Sequence, residues 1–243
     1  MSSNFINNPF GSNLGTNKQN TEAQLRGVEL RDFLTKTYAN LLLGVIAFVL
    51  SCYLLIVTGI ASKFALLYTN MWVSLGLILV FTLSTTFFIN FTYASKNPAI
   101  QYLGLFGYAI LQSLFVSPVV LFASIYGNSI LPAAGGFTLA LFALMTIVVY
   151  VTGIDFGFLR STIIFASIAS LIVIVVSVIT GFKLGIFFTG FMIILACCYI
   201  LYDTSNIMKD YRSTQPIAAA TALLGAIIML FVNIVQFLMQ LRD

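Results

Sequence analysis

Seven long apolar runs fill most of this 243-residue chain and constrain its fold more than any other feature. Each is close to the roughly 20 residues that a helix needs to cross the hydrocarbon core of a bilayer. Hydrophobic residues make up 60% of the chain and charged residues 7%, whereas soluble domains carry about 25% charged residues. The sequence therefore predicts an all-α integral membrane protein with seven transmembrane helices, at approximately Tyr38–Ile60, Met71–Asn90, Ile100–Ser124, Ile130–Val151, Ser161–Thr180, Leu184–Tyr202 and Pro216–Leu241.

The polar segment before the first run divides into two parts. Residues 1–20 are rich in Asn, Ser, Gly and Thr and have almost no apolar periodicity, which predicts a disordered leader. Residues 21–36 contain a capping-box pair, Thr21 and Gln24, and apolar residues near one face, which is typical of an amphipathic helix at the membrane interface. The alternative is that this helix simply extends the first span. Residues 37–243 then form the transmembrane domain.

Lysine and arginine are distributed unevenly between the two sides of a seven-span chain. Eight of them fall on the side of the N-terminus and three on the other. The positive-inside rule therefore predicts a cytoplasmic N-terminus and a C-terminus outside. Lys96, Asp155 and Asp203 then all lie at cytoplasmic ends of spans. The net charge of +4 is explained as a topology signal and not as a nucleic-acid surface.

The inventory of reactive side chains excludes several enzyme classes. The chain has no histidine to act as the base of a serine protease, and its three cysteines lie in apolar runs without zinc or disulfide spacing. The last run has no lysine that could hold a retinal, and no glycine-rich phosphate loop is present. Only Asp203 approaches the two opposed carboxylates of an aspartyl intramembrane protease. We therefore predict a protein without enzymatic activity and without a cofactor.

Asp203 is the leading candidate functional residue, because a carboxylate next to a membrane core is costly unless something pairs with it. It follows the sixth run in the sequence Asp203-Thr204-Ser205-Asn206. The same four residue types are also typical of a helix end and a turn, and both interpretations stay open. Asp155, at the entry to the fifth span, is better explained as a helix cap than as part of a vestibule.

Polar residues inside two other spans are candidates for lining a pathway. The third run contains Gln112 and Ser117, followed by a proline that frees a backbone carbonyl and should kink the helix. In the last run Asn233, Gln236 and Gln240 lie at i, i+3 and i+7, so their amides share one helical face that should point into the bundle. The simpler alternative, which we favour, is that these amides form interhelical hydrogen bonds that hold the bundle together.

Several of these stretches resemble the Bax-inhibitor-1 family of membrane proteins. Residues 200–204, Ile-Leu-Tyr-Asp-Thr, are similar to the signature at the end of the sixth helix of the family. The similarity covers everything after the leader. The other matching segments are residues 33–38 at the entry to the first helix, 112–118 in the third, 152–159 with its Asp-Phe motif before the fifth, and 233–241 in the last.

The resemblance implies a fold in which six helices surround a central seventh. In some members it also implies a pH-sensitive calcium leak, gated by a pair of aspartates on the sixth and seventh helices. Asp203 matches the first aspartate and is the one candidate ligand for a cation, while the second position, placed at Leu230, holds no acid. A basic residue after the second helix holds the sixth-helix aspartate in the family, which makes Lys96 the expected partner of Asp203.

The chain also resembles the YccA-like bacterial branch, which lacks the second acid too and is associated with modulating a membrane-bound protease of the FtsH type. Two functions are therefore predicted as alternatives. The first is a non-enzymatic protein of a bacterial plasma (inner) membrane that regulates a membrane partner, such as that protease. The second is a leak for calcium, another cation or protons, gated at Asp203 and sensitive to pH.

Overall fold

A computed structural model describes the backbone of residues 9–95, 97–209 and 215–242, with side chains from residue 27 onward. All regular secondary structure in the described residues is helical, which confirms the predicted all-α class. Seven of the helices, all except the short α2, are long and apolar enough to cross a membrane by length and composition. The elements are α1 (Pro9–Val57), α2 (Ile60–Leu67), α3 (Met71–Ala94), α4 (Pro98–Tyr126), α5 (Ile130–Thr152), a 3-10 turn (Phe156–Phe158), α6 (Leu159–Thr180), α7 (Ile186–Lys209) and α8 (Pro216–Gln240).

The last helix, α8, is the centre of the bundle. Pro216 starts it, in a position where the missing N–H would have no partner inside the helix. In the most apolar 18-residue window of α8, 72% of the residues are buried, against 44% or less in every other span. Helices α1, α3, α4, α5 and α7 pack around it, while α6 packs mainly on α7 and α3. The ring around α8 is thus made of five spans, and α6 lies outside it.

Small side chains let the neighbours of α8 approach it closely. The three alanines at 218–220 are fully buried, as are Leu223, Leu224 and Leu230 further along the helix. Membrane helices use small residues at such contacts because van der Waals packing, and not a hydrophobic force between them, holds them together. The outward faces of the other spans expose Leu, Ile, Val and Phe side chains, as a lipid-facing surface requires.

The N-terminal helix is longer than the sequence predicts. Residues 9–20 are helical where a disordered leader is expected, and α1 continues without a break to Val57. The backbone of residues 21–36 is part of this same helix, as in the alternative that the segment extends the first span, while residues 1–8 lie outside the described residues. Adding residues to an existing helix needs no new nucleation, which explains how a polar segment joins the span.

The ends of most other helices agree with the predicted apolar runs to within a few residues, and the structure adds one short helix, α2. The break predicted at Ser62-Lys63 lies inside α2, which follows Gly59. The tight turn expected between the fifth and sixth spans begins at Gly181, whose φ of +68° is a left-handed conformation that glycine adopts without a steric penalty. Ser177 Oγ donates a hydrogen bond of 2.5 Å to the carbonyl of Phe182 and closes this turn.

The end of α7 corrects one interpretation of the sequence. The helix runs to Lys209, so the Asp-Thr-Ser-Asn segment at 203–206 is helical and forms neither a helix end nor a turn. Thr204, Ser205 and Ile207 are buried against neighbouring elements. This packing outweighs the local preference of short polar side chains for turns. Asp203 consequently lies within a span.

Candidate functional site

A cavity lies at one end of the bundle, where α3 and α7 end and α6 and α8 begin. Its volume is about 300 Å³, and Asp203 lies on its wall. Because α7 ends six residues later, at Lys209, Asp203 lies about 9 Å inside the helix end at 1.5 Å per residue. Among the described residues, the wall is formed by Tyr93 of α3, Arg160 of α6, Tyr202, Asp203, Asn206 and Ile207 of α7, and Ala222 of α8.

The Asp203 side chain is half-buried. Among the described residues it forms neither a hydrogen bond nor an ion pair. Lys96, its predicted partner, lies outside those residues. Arg160 is the basic side chain on the same wall, yet its guanidinium and the carboxylate form no ion pair. The carboxylate is close enough to Tyr93 and to Tyr108 of α4 for a direct electrostatic interaction with both.

The loop before α6 holds the end of α7 in place. The Phe156 N–H donates a hydrogen bond of 3.0 Å to Ser205 Oγ, and Asp155 forms an ion pair with Lys209. Asp155 also caps the 3-10 turn, since its Oδ1 accepts a hydrogen bond of 2.9 Å from the Gly157 N–H. The bond from Lys209, and after it the bond from Gly157, keeps the pKa of the Asp155 carboxyl below its usual value. Asp155 is therefore a structural anchor beside the cavity and not part of its wall.

A tight contact between α4 and α8 lies one helical turn further into the bundle. The Tyr108 side chain is 1% exposed, and its hydroxyl accepts a hydrogen bond of 2.8 Å from Gln112 Nε2. A β-carbon added at Gly225 would lie 2.5 Å from that hydroxyl oxygen. Gly225 follows the wall residue Ala222 by three positions, so it lies on the same face of α8, about 4.5 Å deeper. Tyr108 therefore fills the space inward of the cavity.

The polar residues of the third span form hydrogen bonds within α4. Ser117 Oγ donates a hydrogen bond of 3.1 Å to the Leu114 carbonyl, which is the acceptor that Pro118 leaves without its helix partner. Gln112 bonds to Tyr108, and both Gln112 and Ser117 are buried. Neither residue lies on the cavity wall. Their hydrogen bonds stabilise a proline-containing helix and the position of Tyr108.

The three amides of the last span have different surroundings. Asn233 Nδ2 donates to the Met229 carbonyl of its own helix at 2.7 Å. Gln240 joins α8 to the beginning of α7, because its Oε1 accepts a bond of 3.0 Å from Thr189 Oγ1. Gln236 is half-buried. None of the three lies on the cavity wall. Gln240 forms an interhelical hydrogen bond of the kind that we favour, whereas Asn233 bonds within its own helix.

The position expected for a second acid is not at the cavity. Leu230 is fully buried in an apolar cluster with Ile200 and Ala226. Ala222 is the α8 residue on the wall beside Asp203. The reason is geometric: α7 and α8 run in opposite directions, Asp203 lies six residues before the end of α7, and Ala222 lies six residues after the start of α8. Leu230 is about 12 Å further along the helix.

The three wall residues outside α7 are not among the candidates derived from the sequence. In the sequence, Arg160 is distinguished only by its charge, although it directly follows the Asp-Phe segment at the start of α6. Tyr93 is read as an interface aromatic. Ala222 carries no chemical signal, and only the register of α8 against α7 identifies it. Within the described residues no three His, Cys, Asp or Glu side chains come together as metal ligands.

Comparison with known families gives one match. The family model described as "Inhibitor of apoptosis-promoting Bax1" matches residues 30–243. The match begins just before the first apolar run and includes every residue of the cavity wall. No curated protein matches the chain.

Proposed function

Because the chain belongs to the Bax-inhibitor-1 family, we propose that this multi-pass membrane protein is a pH-sensitive leak for protons or cations, with Asp203 as its gate. The observation that carries the proposal is the half-buried Asp203 carboxylate on the wall of a cavity of about 300 Å³, with no hydrogen-bond or ion-pair partner among the described residues. A charge in such a place lowers stability, and membrane proteins retain such groups mainly for function. The excess of Lys and Arg at this end of the bundle supports a cytoplasmic cavity in a bacterial plasma membrane.

The surroundings of the cavity support a closed path at high pH. Tyr108 packs against Gly225 inward of the cavity, and buried leucines of α8 fill the space beyond it. The Asp203 carboxylate lies close to Tyr93 of α3 and Tyr108 of α4, and Arg160 of α6 lies on the same cavity wall. Protonation removes the charge of Asp203 and, with it, the electrostatic attraction that we propose between the carboxylate and the Arg160 guanidinium across the cavity. The leak should therefore rise as pH falls.

Asp203→Asn tests the gate, since asparagine has the shape of the protonated acid and cannot titrate. In proteoliposomes that contain a pH-sensitive dye, we expect the wild-type leak to rise in one titration step as pH falls. The variant should leak at every pH, at the acid level of the wild type, with little loss of folded protein.

Asp155→Asn is the matched control, because it removes a carboxylate from the same end of the bundle but not from the cavity wall. It should keep the pH dependence of the wild type. Equal fluxes from wild type and Asp203→Asn, together with a lower yield of the variant, would instead assign Asp203 a purely structural role.

Regulation of a membrane partner is the second candidate, and the length of α1 favours it. The apolar run of α1 begins at about Tyr38. The helix begins at Pro9, so about 29 residues of largely polar helix, roughly 44 Å at 1.5 Å per residue, precede that run. A rigid polar helix outside the membrane suits docking to another protein. The resemblance to the YccA-like branch suggests a protease of the FtsH type as that partner.

Deletion of residues 1–20 tests this second function. The variant should insert and fold as the full chain does, because α1 still contains its complete span. Recovery of an FtsH-type protease in a pull-down from membranes should fall about tenfold or more. A tenfold loss corresponds to the removal of ~1.4 kcal/mol of binding free energy. Asp203→Asn should bind the protease like the wild type, which separates this function from the leak. Equal recovery with and without residues 1–20 would contradict docking through this helix.

A further inference from the structure

The charges on the cavity wall indicate which ion the site takes. Resting on the leak function proposed above, we infer that Arg160 is a specificity-determining residue that excludes divalent cations, so that the site at Asp203 takes protons and not calcium. Arg160 lies at the first turn of α6 and Asp203 near the end of α7, and both contribute to one wall.

The size of the cavity places any ion under the influence of both charges. A sphere of the cavity's volume, about 300 Å³, is roughly 8 Å across, which is about one Debye length at physiological salt. Arg160 and Asp203 form no ion pair with each other or with another described residue, so within the described part of the chain neither charge is neutralised by direct contact. A divalent cation inside the cavity would be attracted by one carboxylate and repelled by one guanidinium that always stays charged.

The other groups on the wall do not compensate for this repulsion. Calcium takes six to eight oxygen ligands, chiefly from carboxylates and carbonyls. The seven wall residues offer one carboxylate, the amide of Asn206 and the phenols of Tyr93 and Tyr202. With Asp203 ionised the formal charge of these seven described wall residues is zero, and with Asp203 protonated it is +1. A metal ion would thus meet a neutral or positive wall, whereas a proton needs only the Asp203 oxygen.

The titratable groups around Asp203 are consistent with a one-proton site. They are Tyr93 on α3, Tyr108 on α4, Arg160 on α6 and Tyr202 on α7, while α8 contributes Ala222 to the wall. Among these residue types a carboxyl is the one that ordinarily titrates in acid. Inward of the cavity, Tyr108 and Gln112 are joined by a hydrogen bond of 2.8 Å, so the next polar groups along the path are a hydroxyl and an amide.

Simultaneous measurement of calcium and proton entry into proteoliposomes tests the inference. The wild type should pass protons and hold back calcium. Arg160→Gln should raise the ratio of calcium flux to proton flux by at least about tenfold, the lower end of the effect of a charge-lined cleft on local ion concentration. Arg160→Lys keeps the positive charge and should keep the exclusion. Lys209→Gln removes a positive charge from the same end of the bundle, outside the wall, and should leave the ratio unchanged.

The flux ratio separates selectivity from gating. If Arg160→Gln raises both fluxes by the same factor, Arg160 acts on the gate and the inference is wrong. Calcium entry through the wild type as rapid as proton entry would also overturn it, while leaving the leak function in place. If Arg160→Gln does not insert into the membrane, the ratios of calcium flux to proton flux in the wild type and in Arg160→Lys still decide whether the inference holds. Absence of both fluxes at every pH would refute the leak function and the inference together.

Discussion

Replacing Ala222 with aspartate is expected to turn the single titration step of the leak into two. Ala222 lies on the cavity wall beside Asp203, so the new carboxylate shares the cavity of about 300 Å³ with the existing one. Two carboxylates in one site share a proton, because the second ionisation must overcome the charge left by the first. The two midpoints should be separated by more than about one pH unit, with the upper one above the wild-type midpoint. Proton flux into dye-loaded proteoliposomes, followed across pH, measures both midpoints.

Leu230→Asp is the control for this variant. It introduces the same side chain into the same helix, but at a fully buried position in an apolar cluster. A carboxylate there has neither a cavity nor a partner among the described residues, so we expect little folded protein. A single step at the wild-type pH in Ala222→Asp would mean that the α8 residue at 222 does not face Asp203 closely enough for the two acids to interact.

The bundle itself is predictable from the sequence because the bilayer imposes a length on every span. Apolar runs of about 20 residues mark the helices, and Pro216 and Gly181 mark a start and an end for reasons of backbone chemistry. The end of α7 is not predictable in this way. Its polar residues look like a turn until the loop before α6 packs against them and Phe156 bonds to Ser205. Tertiary contacts override local preference there.

The site is predictable only as far as one residue stands out chemically. Asp203 does so because a carboxylate next to a membrane core is costly unless something pairs with it. Arg160, Tyr93 and Ala222 come from three other helices, and their proximity to Asp203 depends on how far each helix is shifted along its neighbours. Neither hydropathy nor a family signature contains that register. The same register explains why Leu230, the expected position of the second acid, lies away from the cavity wall.

Replacing Gly225 with alanine should open the path inward of the cavity. The added β-carbon would lie 2.5 Å from the Tyr108 hydroxyl oxygen but 3.5 Å from the next ring atom, so the clash involves the hydroxyl alone. Tyr108 is 1% exposed and has to shift its ring to relieve the clash. We expect a loss of about 1–3 kcal/mol in the free energy of unfolding from overpacking, together with a proton leak at neutral pH.

Gly107→Ala is the matched control, because it creates a clash with the same nearest distance elsewhere in the bundle. Its β-carbon would lie 2.5 Å from Phe88 Cε1, between α4 and α3, and neither residue lies on the cavity wall. Both variants exchange a helical glycine for alanine, so the gain in helix propensity cancels between them. Gly107→Ala should lower stability without a leak, and adding Tyr108→Phe to Gly225→Ala should restore stability because it removes the clashing oxygen. If both single variants leak equally, general loosening of the bundle causes the leak, and Tyr108 does not close the path.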